Sequence, residues 1–310
     1  MVSKDQKYTS VRKLQRRSRA SILICLVVLI ILGVIFRWDI YFQTLLSKKS
    51  EVSLIELSNA ERYKEVVDQT VLIIERDPLN SEALFFQGVA YFYQALLLGD
   101  SVDQKLILDE AIIALRRSLL DPELKEKSEA KYLLGKAYFH KGKFYYDLAI
   151  KYLLESLSKG YEGGDTYEYI GLSYVRLKEL NKGLEYLTIG VEKRPSDLLY
   201  LSISEIYKEL SYLDKALYYL NTALEVTNDL TVELRSRFLL GEVFLMLDRF
   251  EDARYQFELI VMHTPNLPEV LVLYGDAYAG LGDLVRARAE WRKARSIDSE
   301  DVEANLRLRR

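Results

Sequence analysis

By its pattern of apolar and polar positions the chain divides at about residue 50. From Ala20 to Phe36 it reads ASILICLVVLIILGVIF, an apolar run without a charged residue. At about 1.5 Å per residue a helix of this length spans roughly 25 Å, which just crosses the hydrocarbon core of a bilayer. Beyond residue 50 the apolar residues recur with helical period, separated by polar ones. The first stretch predicts a single transmembrane helix, and the second a set of packed amphipathic helices.

The second region is self-similar. A small residue followed three positions later by an aromatic recurs at Gly88–Tyr91, Gly135–Tyr138, Gly171–Tyr174, Ser204–Tyr207, Gly241–Phe244 and Gly275–Tyr278, at intervals of 47, 36, 33, 37 and 34. A second small residue follows the first by twelve positions at Gly183, Ala216, Ala253 and Ala287, and comes later in the first two units, at Ala111 and Ala149. Seven positions further stands Ser118, Ser156, Gly190, Ala223 or Ala294, with Ile260 the exception. Pro78, Pro122, Pro195 and Pro265 then close their units, where a residue lacking an amide hydrogen ends a helix. This pattern asks for two antiparallel helices per unit, close only where side chains are small, with the aromatic filling the gap beside each contact. No such unit buries its apolar face alone, so neighbours must stack.

The residues Tyr167, Ile170, Gly171, Tyr174, Gly183, Leu187, Gly190 and Pro195, and again Leu271, Tyr274, Gly275, Tyr278, Ala287, Trp291 and Ala294, resemble the tetratricopeptide repeat. The resemblance covers roughly residues 50–301 and implies an all-α fold, a right-handed α-solenoid of about seven helical hairpins preceded by the transmembrane helix. The units expected are about 51–80, 81–125, 128–163, 164–196, 197–233, 234–267 and 268–301, then a C-terminal cap reaching 310. Before them come a head at 1–19, the span at 20–36 and a linker at 37–50. The first unit lacks the glycine–aromatic pair and reads as a degenerate cap. The second carries about eleven extra residues within Gln94–Asp109, and the third an expansion at Tyr145–Tyr146. The insert near Leu98–Leu108 is either a second contact surface or a lengthened hairpin.

Charge sets the expected orientation. The chain has net charge −3, yet residues 1–19 hold Lys4, Lys7, Arg12, Lys13, Arg16, Arg17 and Arg19 against Asp5, which leaves an acidic body. Positive residues stay on the cytoplasmic side during insertion, so the head is expected in the cytoplasm and the body beyond the membrane. The apolar run ends Val34-Ile35-Phe36-Arg37-Trp38, without small residues for cleavage, and Leu23 and Ile24 before Cys25 do not suit a lipoprotein signal. A retained anchor follows, with Cys25 an ordinary lipid-facing residue. Trp38, Tyr41 and Phe42 either sit at the lipid–water interface or pack against the first hairpin. The expected setting is a bacterial inner membrane with the repeats in the periplasm. The alternative is an import receptor on an organelle outer membrane, facing the cytosol. An acidic body argues against nucleic acid as a partner.

The resemblance also implies a concave wall built from the first helix of each hairpin, on which other proteins or peptide segments would lie. The residues expected there are Phe85, Val89, Phe92 and Tyr93, then Tyr132, Lys136, Phe139 and His140, an aromatic groove. Glu205, Glu209 and Glu242, with Lys208, Leu245, Met246 and Asp276, form a more acidic continuation. The aromatics alternatively pack between hairpins. Repeat proteins that hold the acidic tail of cytosolic chaperones carry a basic, asparagine-containing clamp where this chain has Phe85 and Val89, so that partner is not expected.

Nothing in the pattern asks for catalysis, a metal, a cofactor or a small-molecule substrate. His140 and His263 are far apart and lack the spacing of a zinc pair. Asp109-Glu110 and Glu251-Asp252 fall at expected helix starts, where carboxylates offset the helix dipole. Gly163-Gly164 lacks the strand before and the lysine after that a phosphate loop requires. Arg286, Arg288, Arg292 and Arg295, with Arg307, Arg309 and Arg310, read as a solvated helix face or, alternatively, as a contact for acidic partners or lipid headgroups.

Overall fold

The structure, a computed structural model, describes Arg37 and residues 53–309. The predicted span at 20–36, the basic head and Cys25, Trp38, Tyr41 and Phe42 lie outside the described residues. Among the described residues no helix is long and apolar enough to cross a membrane. The chain divides into two compact units, Met1–Glu61 and Arg62–Arg310. Of the first, the described part is chiefly a short helix, α1 (Leu54–Asn59), whose entry is closed by a capping box. Ser53 Oγ accepts from the Glu56 amide at 3.1 Å, and Glu56 accepts in return from the Ser53 amide at 3.2 Å.

The second unit is a helical repeat array. It begins with α2 (Tyr63–Arg76) and continues through α3 (Ser81–Leu96), α4 (Val102–Ser118), α5 (Lys127–Lys141), α6 (Tyr146–Ser158), α7 (Thr166–Arg176) and α8 (Leu180–Lys193). It goes on through α9 (Asp197–Glu209), α10 (Leu213–Val226), α11 (Leu230–Met246), α12 (Phe250–His263), α13 (Pro268–Gly280), α14 (Leu284–Ile297) and α15 (Val302–Arg309). Each of α3, α5, α7, α9, α11 and α13 pairs with the helix that follows it, and each second helix then packs on the first helix of the next hairpin. Side chains cap some of the helix starts, Asn80 for α3, Ser101 for α4 and Ser196 for α9, and Pro268, which has no amide hydrogen to leave free, opens α13.

The small residues stand where two backbones meet. A methyl group added at Gly88 would come within 2.6 Å of Leu115, and one at Gly135 within 2.5 Å of Leu153. The same substitution would bring Gly171 within 2.6 Å of Leu187, Gly241 within 2.4 Å of Phe257 and Gly275 within 2.4 Å of Trp291. These five hairpins therefore each set one glycine of the first helix against one large residue of the second, which lets the axes close and fills the space. The later small positions, Ala111, Ala149, Ala216, Ala223, Ala253, Ala287 and Ala294, are fully buried. Seated among them from α9 to α14 is a continuous core that includes Leu220, Leu239, Val243, Phe257 and Trp291. Ala304 of α15 packs in one buried cluster with Leu271, Val272 and Ala294.

The insert of the second hairpin shows as a 17-residue α4, longer than the 13- or 14-residue second helices elsewhere. Leu97, Leu98, Val102 and Leu106 are exposed there. Between the helices of several hairpins the chain turns through a left-handed residue, Lys178, Ser211, Asp248 and Gly282, with φ of 65°, 61°, 56° and 82°. Only the last is glycine, the residue that adopts this conformation without strain.

Candidate functional site

The first helices also touch one another in succession, α3 on α5, α5 on α7, α7 on α9, α9 on α11 and α11 on α13. They form the closely spaced layer of the array, and the wall that layer presents is its concave side. The candidate residues on α3 and α5 converge on this wall, but not all of them are open to a partner. Phe92 is fully buried, Phe85 is 2% exposed and Val89 7%. These three belong to the packing between helices and present no surface. Tyr93, Phe139 and His140 are half-buried and keep an accessible edge.

The centre of the arrangement is Lys136. One helical turn after Tyr132 and one residue after Gly135, it enters the layer and is 7% exposed. Its Nζ donates to Asp165 Oδ2 at 2.8 Å and to the Tyr132 hydroxyl at 3.2 Å. The ammonium stands 4.9 Å from the centre of the Tyr169 ring, 5.1 Å from Tyr132 and 5.6 Å from Phe92. A desolvated cation held by ring faces and a carboxylate is a stable use of an otherwise expensive burial. Tyr132 donates to Asp165 Oδ1 at 2.5 Å, so one carboxylate takes both groups. The Tyr132 ring reaches this place because Gly163 has no side chain: a methyl group there would lie 2.5 Å from the ring.

A second set of rings continues the cluster. His140 Nε2 is 3.0 Å from the Tyr169 hydroxyl, and Phe139 meets Tyr169 edge to face with centres 5.0 Å apart. Tyr161, from the turn before α7, packs against Tyr132 at 5.4 Å. Burial governs the acid–base state of the group. It raises the phenols of Tyr132 and Tyr169, aided by Asp165, and pushes Tyr161 up to about 12. It lowers the His140 imidazole below its usual range, with Lys136 acting in the same direction. Glu129 and Glu168 have raised carboxyls, mainly because both are withdrawn from water.

Asp165, Tyr161, Tyr169, Glu129 and Glu168 were not among the sequence candidates, yet they complete the site. One signal was available. The residue six positions before each small residue is charged in five of the six units, at Glu82, Glu129, Asp165, Arg235 and Glu269. Two of these meet the residue just after the small residue of the preceding hairpin, Asp165 with Lys136 and Arg235 with Glu205.

The expected acidic continuation is chemically different from a bare acidic wall. Glu205 pairs with Arg235 at 2.9 Å, Glu242 with Lys208 at 2.6 Å, Glu209 with Lys178 at 3.1 Å and Asp276 with Arg307 at 2.7 Å. Each pair joins neighbouring helical layers, so the carboxylates there are already matched. His263 lies apart from this wall, exposed at the end of α12. Of the terminal arginines, Arg286 pairs with Asp283 and Arg307 with Asp276 and Glu303.

No protein-family model matches the chain, and no curated protein matches it by sequence. Similar folds are found among solved structures. In a crystal structure of the APC/C hetero-tetramer Cut9–Hcn1 the similarity covers 87% of this chain and 51% of that one, at 14% identity and a TM-score of 0.54. The chain thus spans about half of that protein's length. A crystal structure of MamA is covered over 96% of its length by 58% of this chain, at 20% identity and a TM-score of 0.51. A tetratricopeptide repeat protein from Parabacteroides merdae is covered over 98% by 71% of this chain, at 16% identity and a TM-score of 0.49. The fold is that of a tetratricopeptide-repeat solenoid.

Proposed function

We propose that this protein is a non-catalytic scaffold that gathers partner polypeptides on the concave wall of its repeats and is held at a membrane by residues 20–36. The observation that carries the reading is the convergence of Tyr93, Lys136, Phe139, His140 and Tyr169 from three successive hairpins onto one wall, with ring edges left accessible. Half-buried aromatics on a rigid support are the residues that dominate protein interfaces, because they lose little freedom on binding. The apolar run and the basic head before it support an anchor with the repeats on the far side of a bacterial inner membrane, in an envelope complex for secretion, envelope assembly or the periplasmic part of a flagellar motor.

The test is affinity capture from intact membranes with the wild-type chain and a Tyr93→Ala, Phe139→Ala double variant. Loss of an anchor ring at an interface centre commonly costs about 2 kcal/mol, so partner yield should fall more than roughly tenfold while helical content is retained. Recovery of the same partners at the same yield would remove this wall as the binding face. The anchoring part is tested separately: protease added outside spheroplasts should digest the repeats, and their full protection would reverse the orientation.

A further inference from the structure

The second half of the wall holds a cavity whose sides are apolar. Between the starts of α11 and α13 a space of about 360 Å³ is lined by Leu234, Phe238, Leu267, Pro268 and Val270, with Ile260 of α12 completing it. Phe238 stands three positions before Gly241, the register that Tyr132 holds before Gly135 on the same wall. The matching gap two hairpins earlier, between α7 and α9, is about 180 Å³ and polar. There Glu168, Gly190 and Ser196 take the places of Phe238, Ile260 and Leu267, and Glu162, Lys193 and Arg194 stand beside them. The stack accepts charge in this gap as readily as apolar residues, so packing alone does not call for the apolar lining. Leu267 makes the point separately. Eight positions before the small residue of their helices, Asn80 and Ser196 each accept from a backbone amide and cap α3 and α9. Leu267 holds the same place before Gly275, caps nothing and stays 44% exposed. Leucine is a poor residue for a helix start, and here its apolar surface is also given to water.

We propose that this cavity receives one bulky apolar side chain, leucine, isoleucine or phenylalanine, from an extended segment of a partner polypeptide. The proposal rests on the scaffold reading above and names the chemistry of what the second half of the wall binds. Charge at the mouth matches a neutral group. Arg235 is spent on Glu205 at 2.9 Å, and Glu269 lies in the first turn of α13, where a carboxylate offsets the helix dipole. What the cavity has left to offer is apolar surface. A free small molecule needs a few converging polar groups to fix its orientation, and the six side chains that line the space have none. Orientation then has to come from the chain that carries the side chain, as it does for the anchor residues that dominate protein interfaces.

The experiment uses the full-length chain in lipid nanodiscs, where no free detergent competes for apolar surface. The probes are three fluorescein-labelled peptides of one length and charge, built of glycine, serine and lysine, which differ only in a central leucine, phenylalanine or serine. Fluorescence anisotropy should show the better of the two apolar peptides binding at least about tenfold more tightly than the serine peptide, the gain expected from burying one such side chain. Leu267→Ser should weaken that peptide at least about fivefold. Its melting temperature should stay level or rise, because serine restores the cap that Ser196 gives α9. Leu198→Ser removes an exposed leucine from the start of α9, outside the cavity, and should change binding less than about twofold.

Equal binding of the three peptides overturns the proposal. So does equal loss in Leu267→Ser and Leu198→Ser, which would trace the preference to scattered apolar surface. A clear drop in the melting temperature of Leu267→Ser would also overturn it, by assigning that leucine to the fold. The scaffold reading has its own readout: it stands if the Tyr93, Phe139 variant loses its membrane partners while the three peptides bind alike.

Discussion

The wall from α3 to α7 and the wall from α9 to α13 are built on the same seam and solve the problem of charge in opposite ways. In the first, one ammonium is drawn into the layer and enclosed by three rings and a carboxylate. In the second, ion pairs lace one helical layer to the next and keep contact with water, Glu205–Arg235 with side chains roughly half exposed and Glu242–Lys208 with about a quarter. The seam is indifferent to the choice: Gly135 against Leu153 and Gly241 against Phe257 make the same close approach under both. What differs is how much of the wall the stack itself consumes. The aromatic half spends Phe85 and Phe92 on packing and keeps its binding character in a few edges, whereas the paired half leaves polar groups outward and neutralised.

Several substitutions sharpen or break that contrast. Phe92→Ala should cost the most, about 3–5 kcal/mol, because it empties a fully buried site between α3 and α5. Thermal melting together with hydrogen exchange should place the loss in these helices, and an unchanged melting point would return Phe92 to the accessible groove. Lys136→Ala comes next, at about 1–3 kcal/mol, since it takes the cation from Asp165, which keeps the Tyr132 hydroxyl and some access to water. The matching Arg235→Ala in the other half should cost under about 1 kcal/mol, because that pair is solvent-screened. Equal losses for the two would erase the distinction between the walls.

Acid should act on the two halves unequally as well. The His140 imidazole is held below its usual range by burial and by Lys136, so the unfolded chain binds the proton more readily than the folded one. Its contribution to stability is complete above the unfolded value of about 6.5 and is lost as pH falls below it. Denaturant midpoints should therefore decline from pH 7 toward the folded value in the wild type and be flatter over that window in His140→Gln. A slope that survives the substitution would have to come from other groups. The smallest effect is expected at the turns: Ser211→Gly relieves a left-handed residue and should add about 0.5–1 kcal/mol, read as a raised urea midpoint.

The fold was legible because its determinant is steric and repeats. Two helices can approach only at a glycine, alanine or serine, so Gly171, Gly183 and Gly190 announce a hairpin from their spacing alone, and five further units repeat the statement with small variations. The site was legible in part. Tyr132, Lys136, Phe139 and His140 share a helix face with the seam and could be placed by counting, but Tyr161 enters from a turn and Asp165 from a helix entry, where the helical period gives no direction. The count also locates a residue without saying whether the next hairpin covers it. Phe92 and Tyr93 are adjacent on α3, and one is enclosed while the other keeps an edge. That outcome depends on how far α5 rotates against α3, a matter of packing across hairpins.

Every substantial contact between helices of the array joins elements that are neighbours or next neighbours along the chain. Contacts of this kind need little loop closure, which places the topology among those of low contact order that form quickly. They also mean that no hairpin must wait for a distant segment. The array can be built in the order in which it is synthesised, each pair of helices docking on a finished surface, with α15 in turn packing on Leu271, Val272 and Ala294.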